Sequence, residues 1–132
     1  MSNDDDHSWD LGESSKDKPF NEELSDRKFE EWDRKDWMTW FEENLSFPFE
    51  AKRVEDDDDT FFTDVAEHEA FRFGHKMTVV ALECEMERYG VIVKVREGRK
   101  TGNVPFADLE VTSKSDKNYW PVREYVVWFA NQ

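Results

Sequence analysis

The pattern that most constrains the fold lies in the second half of the chain, where apolar and polar residues alternate in short runs. The runs Met77–Cys84, Gly90–Arg96 and Lys100–Val104 are rich in β-branched residues and are separated by glycine-containing turns. The segment Pro105–Leu109 is typical of a one-turn connector, and a fourth short run, Glu110–Thr112, follows it. Short strands joined by tight turns predict a compact antiparallel meander.

A fifth strand is predicted upstream of the meander. Pro48 disfavours helix for Phe47, so the segment Ser46–Ala51 should be extended, with Phe47 and Phe49 on one face and Glu50 on the other. Five short strands joined in this way predict a small SH3-like antiparallel β-barrel in an α+β protein.

Helices are predicted on both sides of these strands. From Ser25, an N-cap type of residue, aromatic side chains recur at spacings of three to five as far as Leu45. This spacing indicates an amphipathic helix that ends near Asn44 and is either continuous or broken near Asp36. Residues Val122–Phe129 also carry rings at helical spacing and predict a short C-terminal helix that caps the barrel.

A chain of 132 residues is long enough for one domain with its own core. Residues 1–21 lack periodicity and predict a mobile acidic tail, which leaves 22–132 as a single α+β domain. Residues 60–73 fit either a short helix or a loop held by rings. No apolar stretch is long enough to span a bilayer and no leader pattern is present, so a cytoplasmic monomer without membrane contact is expected. Cys84 lies in a strand-like run and is expected to be a buried thiol.

Negative charge is concentrated in the first half of the chain. The sequence has 32 acidic and 18 basic residues, and residues 1–69 alone hold 24 acidic and 8 basic residues, a net charge of −16. Residues 70–132 have a net charge of +2, and the densest acidic run is Glu55–Asp59. Such an asymmetry indicates a surface that binds a cation or a basic partner. Nucleic acid is disfavoured as a direct ligand because the total charge of −14 repels phosphate.

Catalytic patterns are lacking in the sequence. The three histidines, His7, His68 and His75, form no metal-binding pair, and no serine or cysteine stands in a nucleophile elbow. The five glycines form no phosphate-binding loop. The protein is therefore expected not to be an enzyme.

The acidic run has the chemistry of a hard-cation site. Clusters of Asp and Glu without His or Cys favour Ca²⁺, which accepts six to eight oxygen ligands. Asp56, Asp58 and Asp64 fall at ligand positions of an EF-hand loop, but Phe61 stands where that loop needs glycine, and the preceding residues predict a strand rather than a helix. A true EF-hand is therefore disfavoured. The looser prediction is that Asp56, Asp58 and Asp64 bind Ca²⁺, and the alternative is that the run is simply solvated.

Two motifs resemble a known family over roughly Asp36–Phe129. They read Trp37-Met38-x-Trp40-Phe41-Glu42-Glu43-Asn44-Leu45-x-Phe47-Pro48-Phe49-Glu50-Ala51 and Gly102-x-x-Pro105-x-x-Asp108-Leu109-Glu110. This combination is similar to the small acidic calcium-binding proteins of cyanobacteria and other bacteria, the CcbP type. The resemblance implies an α+β protein with an SH3-like barrel and two Ca²⁺ sites on an acidic surface, acting as a buffer or signal regulator. It also implies that Glu43 is a ligand, although the family pattern leads us to expect Asp there.

The residues around Glu43 make such a site chemically reasonable. Glu43 at a helix end, the side chain of Asn44 and Glu50 on the outward face of the next strand are close in sequence, and their oxygens either converge on a cation or Glu50 projects into solvent. Asp108 is a further candidate. The competing class of function is an acidic interaction module that docks a basic protein or mimics nucleic-acid phosphate.

Overall fold

The described part of the chain contains three α-helices and one antiparallel sheet, which makes it an α+β protein as predicted. The computed structural model describes residues 7–10, 19–54, 71 and 73–132. The chain divides into two units, Met1–Lys35 and Asp36–Gln132, and each is described by itself.

The first unit is built on helix α1, Glu22–Asp33. The helix begins at Asn21, whose side chain accepts a hydrogen bond from the Leu24 backbone N–H at 2.9 Å. The prediction of Ser25 as N-cap was wrong, because Asn21 already satisfies this role one turn earlier and Ser25 is buried inside the helix. The Trp9 ring packs edge-to-face on Trp32 of α1, with ring centroids 5.2 Å apart.

The second unit begins with helix α2, Trp37–Asn44. The Asp36 side chain caps it by accepting from the Thr39 backbone N–H at 3.3 Å. The sequence predicted a helix that is either continuous or broken near Asp36, and the structure shows the broken form. The reason is local, since an aspartate that caps a new helix start holds its own backbone in an extended conformation.

Five described strands form the sheet of the second unit: β1, Phe49–Arg53; β2, Lys76–Met86; β3, Gly90–Glu97; β4, Lys100–Pro105; and β5, Leu109–Val111. Their order in the sheet is β4-β3-β2-β1-β5, and every neighbouring pair is antiparallel. The predicted strands, and the predicted connector as a 3₁₀ helix at Phe106–Asp108, are confirmed with small differences at their ends.

The predicted SH3-like barrel is not confirmed, because the sheet is open and has β4 and β5 as its edges. The two edge strands are nevertheless joined by only the three-residue 3₁₀ helix Phe106–Asp108. In a flat sheet, four strand spacings would separate β4 from β5 by about 19 Å, whereas three residues of 3₁₀ helix advance the chain by about 6 Å. The sheet must therefore curl strongly, but a turn rather than a hydrogen-bonded ladder connects its edges.

The core of the second unit lies between the sheet and the C-terminal helix α3, Tyr119–Ala130, which confirms the helix predicted at Val122–Phe129. The Phe41 ring of α2 packs against Phe106 at 5.1 Å and against Tyr125 of α3 at 5.3 Å between centroids. All three side chains are buried, and rings of this size contribute a large share of the apolar burial in a small core.

Cys84 is exposed, so the prediction of a buried thiol was wrong. The pairing of β2 with β3 shifts register twice, between Val79 and Ala81 and between Leu82 and Cys84. Each shift disturbs the alternation of faces on which the prediction depended. The two readings of residues 60–73 fall outside the described residues, except at Phe71 and Phe73.

Candidate functional site

The last turn of α2 presents two of the predicted ligands on the surface. Glu43 is exposed, and none of the residues in the last turn of α2, all of them described, is basic. Because the C-terminal end of a helix carries partial negative charge, a carboxylate there is destabilising and a nearby cation is stabilising. The Asn44 side-chain nitrogen donates to the Trp40 carbonyl at 2.8 Å, which uses the donor end of the amide and leaves its oxygen as the acceptor.

Glu50 lies on the exposed face of β1, as predicted, and its carboxylate has a partner. The Thr112 hydroxyl donates to Glu50 Oε1 at 2.9 Å, and the Thr112 backbone N–H donates to the Glu50 carbonyl at 3.2 Å. The first contact places a hydroxyl oxygen beside the Glu50 carboxylate, and the second holds the two backbones together just after the end of β5. Carboxylate and hydroxyl oxygens are donor atoms of the hard kind that Ca²⁺ prefers.

A side-chain clamp holds the turn between α2 and β1. The Asn118 side-chain oxygen accepts from the Ser46 backbone N–H at 2.8 Å, and the Asn118 side-chain nitrogen donates to the Ser46 carbonyl at 3.0 Å. Asn118 is 2% exposed. Although it precedes α3, it makes no side-chain capping bond to that helix. The clamp therefore orders the turn between Glu43 and Glu50, a role that sequence reasoning missed.

Replacement of Asn118 by alanine is expected to lower the free energy of unfolding by about 2–3 kcal/mol, since two hydrogen bonds to Ser46 are lost and its peptide groups must find new partners. The matched control is Asn131→Ala, because the exposed Asn131 side chain donates to the carbonyl of Val127, four residues earlier, at 2.8 Å, which is a local contact. We expect that control to stay within about 0.5 kcal/mol of the parent protein in urea denaturation. Equal losses in the two variants would show that the clamp has no special role.

Asp108 is not a surface ligand, because it forms a buried ion pair. Its Oδ2 accepts from Arg53 Nη2 at 2.9 Å, and the two side chains are 6% and 3% exposed. Arg53 is the last residue of β1 and takes an inward position in the alternating burial of that strand. A charged residue at an inward strand position was the one sequence signal that could have pointed to this pair.

The Arg53–Asp108 pair also anchors the described residues that flank the acidic segment 55–70. On one side the Val54 backbone N–H donates to the Asp108 carbonyl at 2.8 Å. On the other side Arg53 Nη1 donates to the Phe71 carbonyl at 2.9 Å, and the Phe71 N–H donates to Glu97 Oε1 at 2.7 Å. Val54 and Phe71 are thus both hydrogen-bonded to members of the same buried ion pair.

Three predicted ligands, Asp56, Asp58 and Asp64, lie outside the described residues. Within residues 7–10, 19–54, 71 and 73–132, no three His, Cys, Asp or Glu side chains group closely enough to hold a metal ion. Because Ca²⁺ takes six to eight oxygens, Glu43, Asn44 and Glu50 fit such an ion in donor type but supply too few donors alone. Backbone carbonyls, water or other carboxylates would have to complete the coordination.

Comparison with known proteins identifies the class that these features define. A family model described as calcium binding, CcbP, matches residues 20–129. The chain therefore belongs to the CcbP family of calcium-binding proteins, as its motifs had indicated. Comparison with curated proteins and with solved structures gives no match. Within the described ranges, no helix has the length and apolar character needed to cross a membrane.

Proposed function

We propose that this protein binds Ca²⁺ through carboxylates on its acidic surface and acts as a calcium buffer or signal regulator. The observation that carries the proposal is the family match over residues 20–129. The charge distribution supports it, since residues 1–69 hold a net charge of −16. A field of that sign raises the local concentration of cations and should make the affinity fall as salt is added.

Two groups of ligands are proposed. The first contains Glu43, Asn44 and Glu50. Its support is the last turn of α2, which carries Glu43 and no basic residue, together with the Glu50 carboxylate beside the Thr112 hydroxyl. A cation in this position would offset the charge at the end of α2. The second group contains Asp56, Asp58 and Asp64, and its support is the density of carboxylates in the sequence.

Calorimetric titration of Ca²⁺ and Mg²⁺ into chelator-treated protein tests the proposal. We expect a dissociation constant on the order of 10⁻⁷ to 10⁻⁴ M for Ca²⁺ and weaker binding of Mg²⁺, which demands near-ideal octahedral geometry and gives up its water reluctantly. Each of the changes Glu43→Gln and Glu50→Gln, and the double change of Asp56 and Asp58 to Asn, should weaken one binding step by about tenfold, or about 1.4 kcal/mol.

The control variant is Glu83→Gln, which removes the same charge from an exposed position of β2 outside both proposed groups. Its affinity should change only slightly, through the general field. If neither the heat of binding nor the thermal stability responds to millimolar Ca²⁺, the proposal fails. Capture of basic proteins on the immobilised chain would then test the competing interaction function.

A further inference from the structure

A cavity of about 360 Å³ lies between the β2–β3 hairpin and helix α3, and its described lining includes none of the proposed calcium ligands. Its volume falls in the range of small-molecule sites, roughly 300–1,000 Å³. All of its lining residues belong to the second unit, and they are Glu85, Met86, Glu87, Gly90, Tyr125, Trp128 and Phe129.

One wall of the cavity is aromatic. The Tyr125 ring lies 6.0 Å from Trp128 and 5.7 Å from Phe129 between centroids, so three rings of α3 form one continuous cluster. Trp128 and Phe129 are only half-buried, and they keep ring surface available to a ligand. The Tyr125 oxygen accepts from the Val91 N–H at 2.9 Å. Burial raises the pKa of the Tyr125 phenol further above physiological pH, so this side chain carries no charge there.

The opposite rim of the cavity is acidic. Glu85 and Glu87 are both exposed and both line the cavity, and the charge of Glu85 contributes to raising the pKa of Tyr125. None of the described lining residues is basic. The nearest arginine in sequence, Arg88, lies over the Tyr89 ring, with its guanidinium carbon 5.6 Å from the centroid. The two carboxylates therefore give the cavity a negative potential.

Aromatic faces combined with carboxylates select one chemical class of ligand. Anions are repelled by Glu85 and Glu87, and Ca²⁺ would need six to eight oxygens where the walls offer mainly rings and a thioether. A neutral apolar ligand would gain nothing from the two charges. An ammonium ion that carries alkyl groups gains cation–π attraction from the rings, Coulomb attraction from the carboxylates and apolar contact with Met86.

We propose that this cavity binds a small organic ammonium cation, with Trp128 and Phe129 contacting its alkyl groups and Glu85 and Glu87 balancing its charge. Gly90 allows the close approach of the hairpin to helix α3 that shapes the site. A Cβ atom at this position would collide with the Tyr125 hydroxyl and the Phe129 ring, so only glycine lets the hairpin approach the aromatic wall this closely. The proposal does not depend on calcium binding.

Choline is a suitable probe, and 3,3-dimethylbutan-1-ol is its neutral isostere. In an NMR titration of the full chain, choline should shift the Gly90 and Glu87 amide signals and the Trp128 indole signal, and the neutral isostere should bind at least about tenfold more weakly. The same result is expected in chelator and in excess Ca²⁺, so a failure of the proposed calcium function would leave it unchanged.

The double variant Glu85→Gln/Glu87→Gln should weaken choline binding by about tenfold or more, since both balancing charges are lost. Glu83→Gln on the same strand removes one charge without touching the cavity and should change the affinity by less than about twofold. Equal binding of choline and its isostere, shifts that map elsewhere on the protein, or equal losses in the cavity variant and the control would overturn the proposal.

Discussion

The variant Arg53→Met is expected to lose about 3–5 kcal/mol of its free energy of unfolding in urea denaturation at neutral pH. Arg53 and Asp108 are both almost fully buried, and their side chains meet at 2.9 Å. Methionine fills a similar volume but leaves the buried Asp108 carboxylate without the Arg53 cation. It also removes the hydrogen bond from Arg53 to the Phe71 carbonyl. The cost is large because a buried charge without compensation is much less stable than the same charge in water.

A second variant separates the effect of the unpaired charge on stability from the effect of the changed side-chain shape. In the double variant Arg53→Met/Asp108→Leu neither charge remains, so we expect at least half of the lost stability to return. Lys52→Met is the matched control, because Lys52 is exposed on the same strand and should change stability by less than about 0.5 kcal/mol. A double variant no more stable than Arg53→Met alone would contradict the account of an unpaired buried charge.

The variant Gly90→Ala is expected to lose about 2–5 kcal/mol of its free energy of unfolding. Gly90 has φ +71, where a Cβ atom costs roughly 1–2 kcal/mol. Overpacking against the Tyr125 hydroxyl and the Phe129 ring adds about 1–3 kcal/mol. The hydrogen bond from Val91 to Tyr125 would be disturbed in the same step.

Gly98→Ala supplies a close control for this second variant. Gly98 has a similar backbone conformation, φ +63, but an added Cβ would meet nothing within 4 Å. We therefore expect it to lose only the conformational part, about 1–2 kcal/mol. Chemical denaturation of both variants measures the difference, which isolates the collision with the C-terminal helix. Equal losses at the two glycines would mean that the Tyr125 and Phe129 side chains accommodate the added methyl group without loss of stability.

Much of the secondary structure could be predicted because it depends on neighbours in sequence. The period-two runs of the meander and the ring spacing of Val122–Phe129 each specify an element from a few adjacent residues. The errors at Ser25 and Cys84 have separate causes. Asn21, four residues before Ser25, caps the first helix. Two register shifts in the pairing of β2 with β3 disturb the alternation of faces that would have buried the Cys84 thiol.

The candidate site was predictable in part. The segment that contains Glu43, Asn44 and Glu50 could be selected from its motif, and the exposed position of Glu50 on β1 agrees with the predicted alternation. The surroundings could not be predicted, because Asn118 meets Ser46 across 72 residues of chain. No local pattern encodes a pairing at that separation, since it depends on how α3 docks against the sheet.

The amino-acid sequence alone specifies most elements of the fold, the concentration of negative charge in residues 1–69 and the family to which the chain belongs. These properties follow from composition, periodicity and motif, which need no knowledge of distant contacts. Long-range packing, in contrast, pairs Asp108 with Arg53 and places Glu85 and Glu87 in one cavity with three rings of α3. Strand register, bulges and helix docking set these encounters, and each of them depends on the packing of the whole unit.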